Sequence, residues 1–316
     1  MKQVVGRVFI WFWAYLIALP IAAQSSFTVV PLGVKGGLQE SNLSAYLVAP
    51  AGSSAYVCLD AGTVYSGVEK AIARNTLAGS TGQAIRTRIK GYLISHPHLD
   101  HVAGLLLGAP DDTAKTIYGL PGCLATLQND YLNWRAWPNF GSGGNAPALQ
   151  KYQLRELAPG QETPLANTAL SVQAFPLSHG KPYPSTAFLV RSGSSYLLYL
   201  GDTGADAVEQ TQNLRALWQA VRPLVQAHQL KAIFIETSYP NSQPTSQLFG
   251  HLTPALLLQE LEVLGQLTGA AALRGLPVVI THIKPGNEDA IKAQLLKGNT
   301  LPVKLIFPEQ GQRLEF

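Results

Sequence analysis

The stretch Gly91-Tyr92-Leu93-Ile94-Ser95-His96-Pro97-His98-Leu99-Asp100-His101 sets three imidazoles and a carboxylate within six positions, directly after a short apolar run. Pro97 lacks a backbone donor and steers His96 away from helical dihedrals. The segment therefore reads as a strand end and an open loop, with a helix starting near Asp100 and Val102. In an extended segment, side chains two positions apart share a face, so His96 and His98 can converge on one ion. Asp100 and His101, offset by the turn, can present oxygen and nitrogen to a second ion beside it. These ligand types suit zinc, and composition alone is also compatible with manganese or iron. A single histidine is ordinarily a packed or surface residue, but that reading does not account for four ligand groups crowded together.

Further groups of the same chemistry stand just beyond apolar runs or beside glycine. They are His179 in PLSHG, His251 in FGHLTP, His282 in ITHIKP, and Asp202 in GDTG after YLLYL. Placing these strand-end residues on one rim gives a first site of His96, His98 and His179 and a second of Asp100, His101 and His282, bridged by Asp202. Residues so far apart meet only through the fold, so this grouping is sharper than the local sequence signal.

Short alternating or apolar runs bounded by Gly, Ser and Pro predict strands over 27–32, 43–48, 56–59 and 92–94, and later over 171–175, 186–191, 195–200, 232–235, 278–280 and 303–307. Helices are predicted over 68–77, 123–132, 208–226, 254–267 and 288–296, with Pro254 suited to a first helical turn. Residues 134–164, carrying FGSGGNAPA, read as an insertion or rim outside the central sheet. Trp134, Trp137 and Phe140 within it could line a cleft or simply pack.

HxHxDH with a later His, Asp and His resembles the metallo-beta-lactamase superfamily. That resemblance implies a four-layer alpha/beta-beta/alpha sandwich with metals at the sheet edge. Within it the chain resembles the class II 3',5'-cyclic-nucleotide phosphodiesterases, through GGLQESNLSAYLV at Gly36–Val48, LDAGT at Leu59–Thr63 and SHPHLDHVAGL. PLSHG, GDTGAD, IETS at Ile235–Ser238, LFGHLTP at Leu248–Pro254 and THIKP at Thr281–Pro285 extend the likeness over most of the chain. The metal cluster identifies only the broad superfamily; the SNLSAYLV, GHLTP and THIKP blocks narrow the substrate class. Residues 132–171 add little to the match.

The resemblance implies hydrolysis of cyclic AMP, with cyclic GMP close behind, to the 5'-monophosphate at two divalent ions, with zinc the expected metal. A bridging hydroxide is expected to attack phosphorus in line with the departing oxygen, and the net positive site favours an anionic diester. Asp100 is counted both as a ligand and, with Glu236 and His251, among the catalytic residues. Glu236 and His251 are the candidate proton-donating pair, the carboxylate orienting the imidazole; a loop-holding Glu and a backbone-bonded His are the ordinary alternatives. Asp60 reads either as a support for the histidine loop or as a plain turn former. Asn42 and Ser44 could touch substrate or tie a loop. Lys181 and Lys284, beside His179 and His282, could meet phosphate or solvent.

The chain has 316 residues, 47% hydrophobic and 13% charged, enough for a sizeable core and unlike collagen, low-complexity disorder or a disulfide-stapled miniprotein. A formal charge of +4, spread without basic blocks, does not describe a nucleic-acid surface. The run from Val8 to Ala23 has no charge, follows Lys2 and Arg7, and ends in small residues, as an export signal does. Residues 1–23 are thus expected to be a signal peptide. Residues 24–316 are expected to form one metallo-hydrolase domain, periplasmic or secreted, with no stable membrane insertion after cleavage and an oligomeric state that the sequence does not indicate. Cys58 and Cys123 allow one disulfide or two buried thiols. No GxxxxGK[ST] or GxSxG occurs, which disfavours P-loop and serine-nucleophile enzymes. The competing readings are a metallo-hydrolase of a lactam, lactone or thioester, and a zinc-binding protein with little turnover.

Overall fold

Where apolar side chains occupy both faces of a strand, helices must cover one face and a second sheet the other, and the chain arranges its elements on that principle. The computed structural model describes Met1 and residues 26–316. Apart from Met1, the expected export segment lies outside the described residues. The first half runs β1 (Phe27–Gly33), β2 (Ala45–Pro50), β3 (Tyr56–Leu59), α1 (Tyr65–Ala73), α2 (Thr81–Arg88), β4 (Ile89–Leu93), α3 (Leu99–Gly108), β5 (Lys115–Gly119), α4 (Pro121–Thr126) and β6 (Tyr152–Glu156). The second half runs β7 (Thr163–Pro164), β8 (Ser171–Ser178), β9 (Pro184–Ser192), β10 (Ser195–Leu200), α5 (Asp206–Glu209), α6 (Asn213–Gln226), β11 (Leu230–Glu236), α7 (Pro254–Thr268), β12 (Pro277–Thr281), α8 (Glu288–Gly298), β13 (Lys304–Ile306) and β14 (Leu314–Glu315).

Two seven-stranded sheets result, in the orders β14-β1-β2-β3-β4-β5-β6 and β13-β12-β11-β10-β9-β8-β7. Each is antiparallel on one side and parallel on the other, the parallel parts being β3 to β6 and β10 to β13. Phe27, Tyr46, Leu59 and Leu93 of one sheet pack on Val172, Phe188, Tyr199 and Phe234 of the other. Val68, Val102 and Leu105 cover the outer face of the first sheet, and Trp218, Val221, Leu257, Leu261 and Ile291 that of the second. The architecture is the expected four-layer α/β-β/α sandwich.

Period-two burial appears along Ser171–Pro176, where Val172 and Ala174 face the shared core while Phe175 packs outward against the helices of the second sheet. Two sequence expectations need correction. The helix expected over 208–226 is two helices, because Gln210 turns left-handed (φ 56°) and Asp206 accepts the Leu214 and Arg215 amides to start α6. Residues 134–164 include two edge strands, β6, which pairs with β5, and the two-residue β7, which pairs with β8; the one-sided burial and charged outer face of β6 hide it from apolar patterning. Phe140 is buried and Trp137 packs on the same core, so these rings pack rather than line a cleft. Both cysteines are buried free thiols, which decides between the two readings left open.

In both parallel half-sheets the strands point their carboxyl ends toward one edge, where this class of sheet places its ligands. The segments after β3, β4, β8, β10, β11 and β12 carry Asp60, His96, His179, Asp202, Ser238 and His282 respectively.

Candidate metal centre

The loop after β4 is shaped by a carboxylate from the neighbouring strand. Asp60, buried and left-handed (φ 51°), accepts the Ser95 amide at 2.7 Å, the Ser95 hydroxyl at 2.8 Å, the Tyr199 hydroxyl at 2.6 Å and His101 Nδ1–H at 2.7 Å. Such a fully used anion justifies its own burial, and it is the support for the histidine loop that was one of the two expectations for Asp60. The helix after the loop starts at Leu99, so Asp100 and His101 lie in its first turn and approach the loop histidines.

Hydrogen-bond partners assign the histidine tautomers. His179 Nδ1 lies 2.9 Å from the Gly250 carbonyl, which only accepts, and His101 Nδ1 donates to Asp60. The single proton of Ser95 goes to Asp60, so its oxygen accepts from His96 Nδ1 at 3.0 Å. Ser238 spends its proton on an acceptor, Glu236 Oε2 at 2.7 Å or the His282 carbonyl at 3.1 Å, and so accepts from His282 Nδ1 at 2.9 Å. All four rings therefore carry their proton on Nδ1 and keep a lone pair on Nε2. That is how outer hydrogen bonds prepare imidazoles for a metal.

These Nε2 atoms converge on one carboxylate. Asp202 Oδ2 lies 3.1 Å from His282, 3.3 Å from His101, and 3.8 Å from each of His96 and His179. His98 Nδ1 is 3.3 Å from His179 Nε2, and His282 Nε2 is 3.2 Å from Asp100 Oδ2. Four overlapping groups of donor atoms form, each lying within 4.8 Å: the predicted sets His96-His98-His179 and Asp100-His101-Asp202-His282, and beside them His179-Asp202-His251 and Glu236-His251-His282. All seven sequence-predicted ligand residues are thus brought together, in the predicted groups, with Asp202 against both.

The donors fit divalent metal. His96 Nε2 and His101 Nε2 are buried without a hydrogen-bond partner, a costly arrangement for polar atoms unless a cation receives them. Burial, then the neighbouring His101, holds His96 well below an ordinary histidine pKa. Burial opposes charge on His101 too, yet Asp202, Asp60 and Asp100 pull it well above the usual value. The carboxylates around His101 therefore favour positive charge at that point, which a bound cation would supply while the ring itself stays neutral.

Glu236 and His251 lie beside this cluster as a direct pair, Oε1 to Nδ1 at 2.6 Å. Ser238 and the Leu252 amide donate to the other carboxylate oxygen. Burial raises Glu236 to about 7 and lowers His251 to about 4, so both effects favour an uncharged pair. His251 Nδ1 is 3.8 Å from Asp202, while its Nε2 makes no hydrogen bond among the described residues.

Ser95, Ser238, Tyr199 and the Gly250 carbonyl escaped sequence reading, because a hydroxyl or carbonyl carries no spacing signal until its acceptor or donor is placed. The glycines did leave one: a Cβ at Gly36 would sit 2.2 Å from the His282 ring, and one at Gly62 1.9 Å from the Asp100 carbonyl. Asn42 Oδ1 accepts the Val34 amide and Ser44 Oγ meets the Lys35 carbonyl, so both tie the loop. Lys284 stands over the Tyr239 ring at 5.6 Å without a carboxylate partner among the described residues.

The profile of the cAMP phosphodiesterases class-II matches residues 25–302. The 3',5'-cyclic-nucleotide phosphodiesterase of Aliivibrio fischeri is 43% identical, covering 95% of this chain and 96% of that protein. Unliganded yeast PDE1 superposes with a TM-score of 0.80 at 24% identity over 93% of this chain and 100% of that one. The metallo-beta-lactamase fold protein YhfI of Bacillus subtilis does so at 0.60 and 16% over 92% and 99%. These last two likenesses establish the metallo-beta-lactamase fold, and the first two establish the family: the chain belongs to the class-II cyclic-nucleotide phosphodiesterases and is a hydrolase of that family.

Proposed function

We propose that the protein hydrolyses cyclic AMP, and cyclic GMP alongside it, to the 5'-monophosphate at a centre of two zinc ions. The observation that carries this reading is the convergence of the Nε2 atoms of His96, His101, His179 and His282 on Asp202. His96, His98 and His179 would hold one ion and Asp100, His101 and His282 the other, with Asp202 shared. When bound, such ions supply positive charge for the phosphate oxygens and a readily ionised water for attack on phosphorus.

The protein's own groups do the rest. Asp60, Ser95 and Ser238 hold the imidazoles in the ligating tautomer. Asp100 is positioned by the Gly37 amide at 2.9 Å, which keeps its Oδ2 against His282. Glu236 grips His251 Nδ1, so a proton on Nε2 can pass to the departing 3' oxygen as Nδ1 is resupplied from the carboxyl. Product identification tests the bond choice: metal-replete protein and cyclic AMP should yield 5'-AMP, whereas 3'-AMP would reverse the assignment and no cleavage would refute the activity.

Because Asp60 serves four donors, Asp60→Asn should lower metal affinity by about 10- to 100-fold while the protein stays folded. Chelator competition measures this, and an unchanged affinity would reduce Asp60 to a turn former. We also propose that residues 24–316 form one exported metallo-hydrolase domain, on the charge-free run before Gln24. The mature protein should then begin near Gln24 and be periplasmic or secreted; a retained Met1 would contradict this.

A further inference from the structure

A cyclic nucleotide carries a flat base as well as a diester, and the buried imidazole and carboxylate cluster offers the base no apolar surface. Large apolar side chains instead stand in solvent at the cluster's margin. Tyr183 is 55% and Phe249 69% exposed, beside Leu99 at 61% between His98 and Asp100. Exposed apolar groups gathered around a site mark a binding surface. The Tyr183 ring lies 5.0 Å from the His98 ring, nearly perpendicular to it.

Phe249 is placed at conformational cost. Its φ of 52° lies in the left-handed region that a bulky side chain rarely adopts, and its ring is not buried in return. Strain of this kind persists where surrounding structure enforces it, commonly at ligand sites. Here the enforcing contacts belong to the cluster. The Gly250 carbonyl accepts His179 Nδ1–H, and the Phe249–Gly250 backbone lies against Gly180, close enough that a Cβ on Gly250 would meet the Gly180 amide at 2.2 Å. The loops bearing Tyr183 and Phe249 are therefore locked to each other and to the ligand His179.

We propose that Tyr183 and Phe249 are the nucleobase platform of the site, taking a planar heteroaromatic base by stacking while the diester lies at the metal cluster. The inference rests on the cyclic-nucleotide reading above. Stacking uses the face of a base and not its edge, so adenine and guanine should be held alike.

Steady-state kinetics of the metal-loaded full chain tests this with two substrates: cyclic AMP, and methyl ribofuranoside 3',5'-cyclic phosphate, which keeps sugar and diester but lacks the base. Tyr183→Ala and Phe249→Asn should each raise KM for cyclic AMP about tenfold, with kcat within about twofold of wild type. Asn is at ease in the left-handed region, so Phe249→Asn removes the ring without added backbone strain. Tyr183→Phe and Phe249→Tyr should restore the wild-type KM, and the base-free diester should show no change in any variant. An unaltered KM for cyclic AMP in both ring-deleted variants, or an equal loss on the base-free diester, would overturn the platform alone. Failure of the wild-type protein to cleave cyclic AMP would overturn the underlying reading, and the platform with it.

Discussion

Asp202→Asn is expected to lower turnover of cyclic AMP by about a thousandfold and to strip metal from the protein, with little change in folding stability. The carboxylate lies within 3.8 Å of nitrogens from five histidines, and among the described residues no other acidic side chain lies against both predicted donor groups. Burial disfavours its charge, but His282 and His101 outweigh that effect and hold its pKa well below the carboxylate range. An amide has the same shape without the charge, so the fold keeps its packing while the centre loses the anion shared by both sets of donors. Electrostatic stabilisation by metal is worth several kcal/mol, and about 1.4 kcal/mol is tenfold in rate, which sets the expected scale. Elemental analysis beside kcat checks it. Full metal content with wild-type turnover would remove Asp202 from its shared position, and a collapsed denaturation midpoint would assign it to folding instead.

The second large effect concerns the leaving group. His251→Ala should retain metal yet slow cleavage of cyclic AMP by about a hundredfold or more, the usual worth of a placed general acid. Hydrolysis of a p-nitrophenyl diester, whose leaving group departs without a proton, should fall far less. Equal losses on both substrates would make His251 a positioning residue. Glu236→Gln is the companion variant, since it preserves size beside His251 but cannot resupply the proton; its loss should follow the same dependence on the leaving group. The 2.6 Å contact between Glu236 and His251 is the basis for treating them as one unit.

These two expectations separate because the proposed metal ligands and the proposed proton-donating pair use different atoms of one network. Ser238 joins them, touching Glu236, His251 and the proposed ligand His282 within 3.2 Å. Ser95 makes the corresponding link between Asp60 and His96. Each half of the sandwich thus supplies a carboxylate and a serine from the carboxyl ends of its parallel strands.

Much of this was legible before any fold was known. The proline in Ser95–His101 ended a strand and opened a loop, and local dihedral preference is enough for that. Strands β3 and β10 fell where apolar runs between turn residues put them. The edge strand β6 and the break at Gln210 did not, since pairing partners and a capping carboxylate from another turn decided them. The choice between disulfide and free thiols for Cys58 and Cys123, 65 positions apart, likewise waited on where a strand, β3, and a helix, α4, placed them.

The chain by itself determined which chemistry was available: imidazoles and carboxylates at strand ends, chosen residue by residue and readable from type and spacing. Tertiary structure alone decided which nitrogen of each ring faces the centre. That outcome depends on two serine hydroxyls, one backbone carbonyl and one buried carboxylate, and apart from Ser95 beside His96 these arrive from distant segments, whose hydrogen bonds have no trace in linear order.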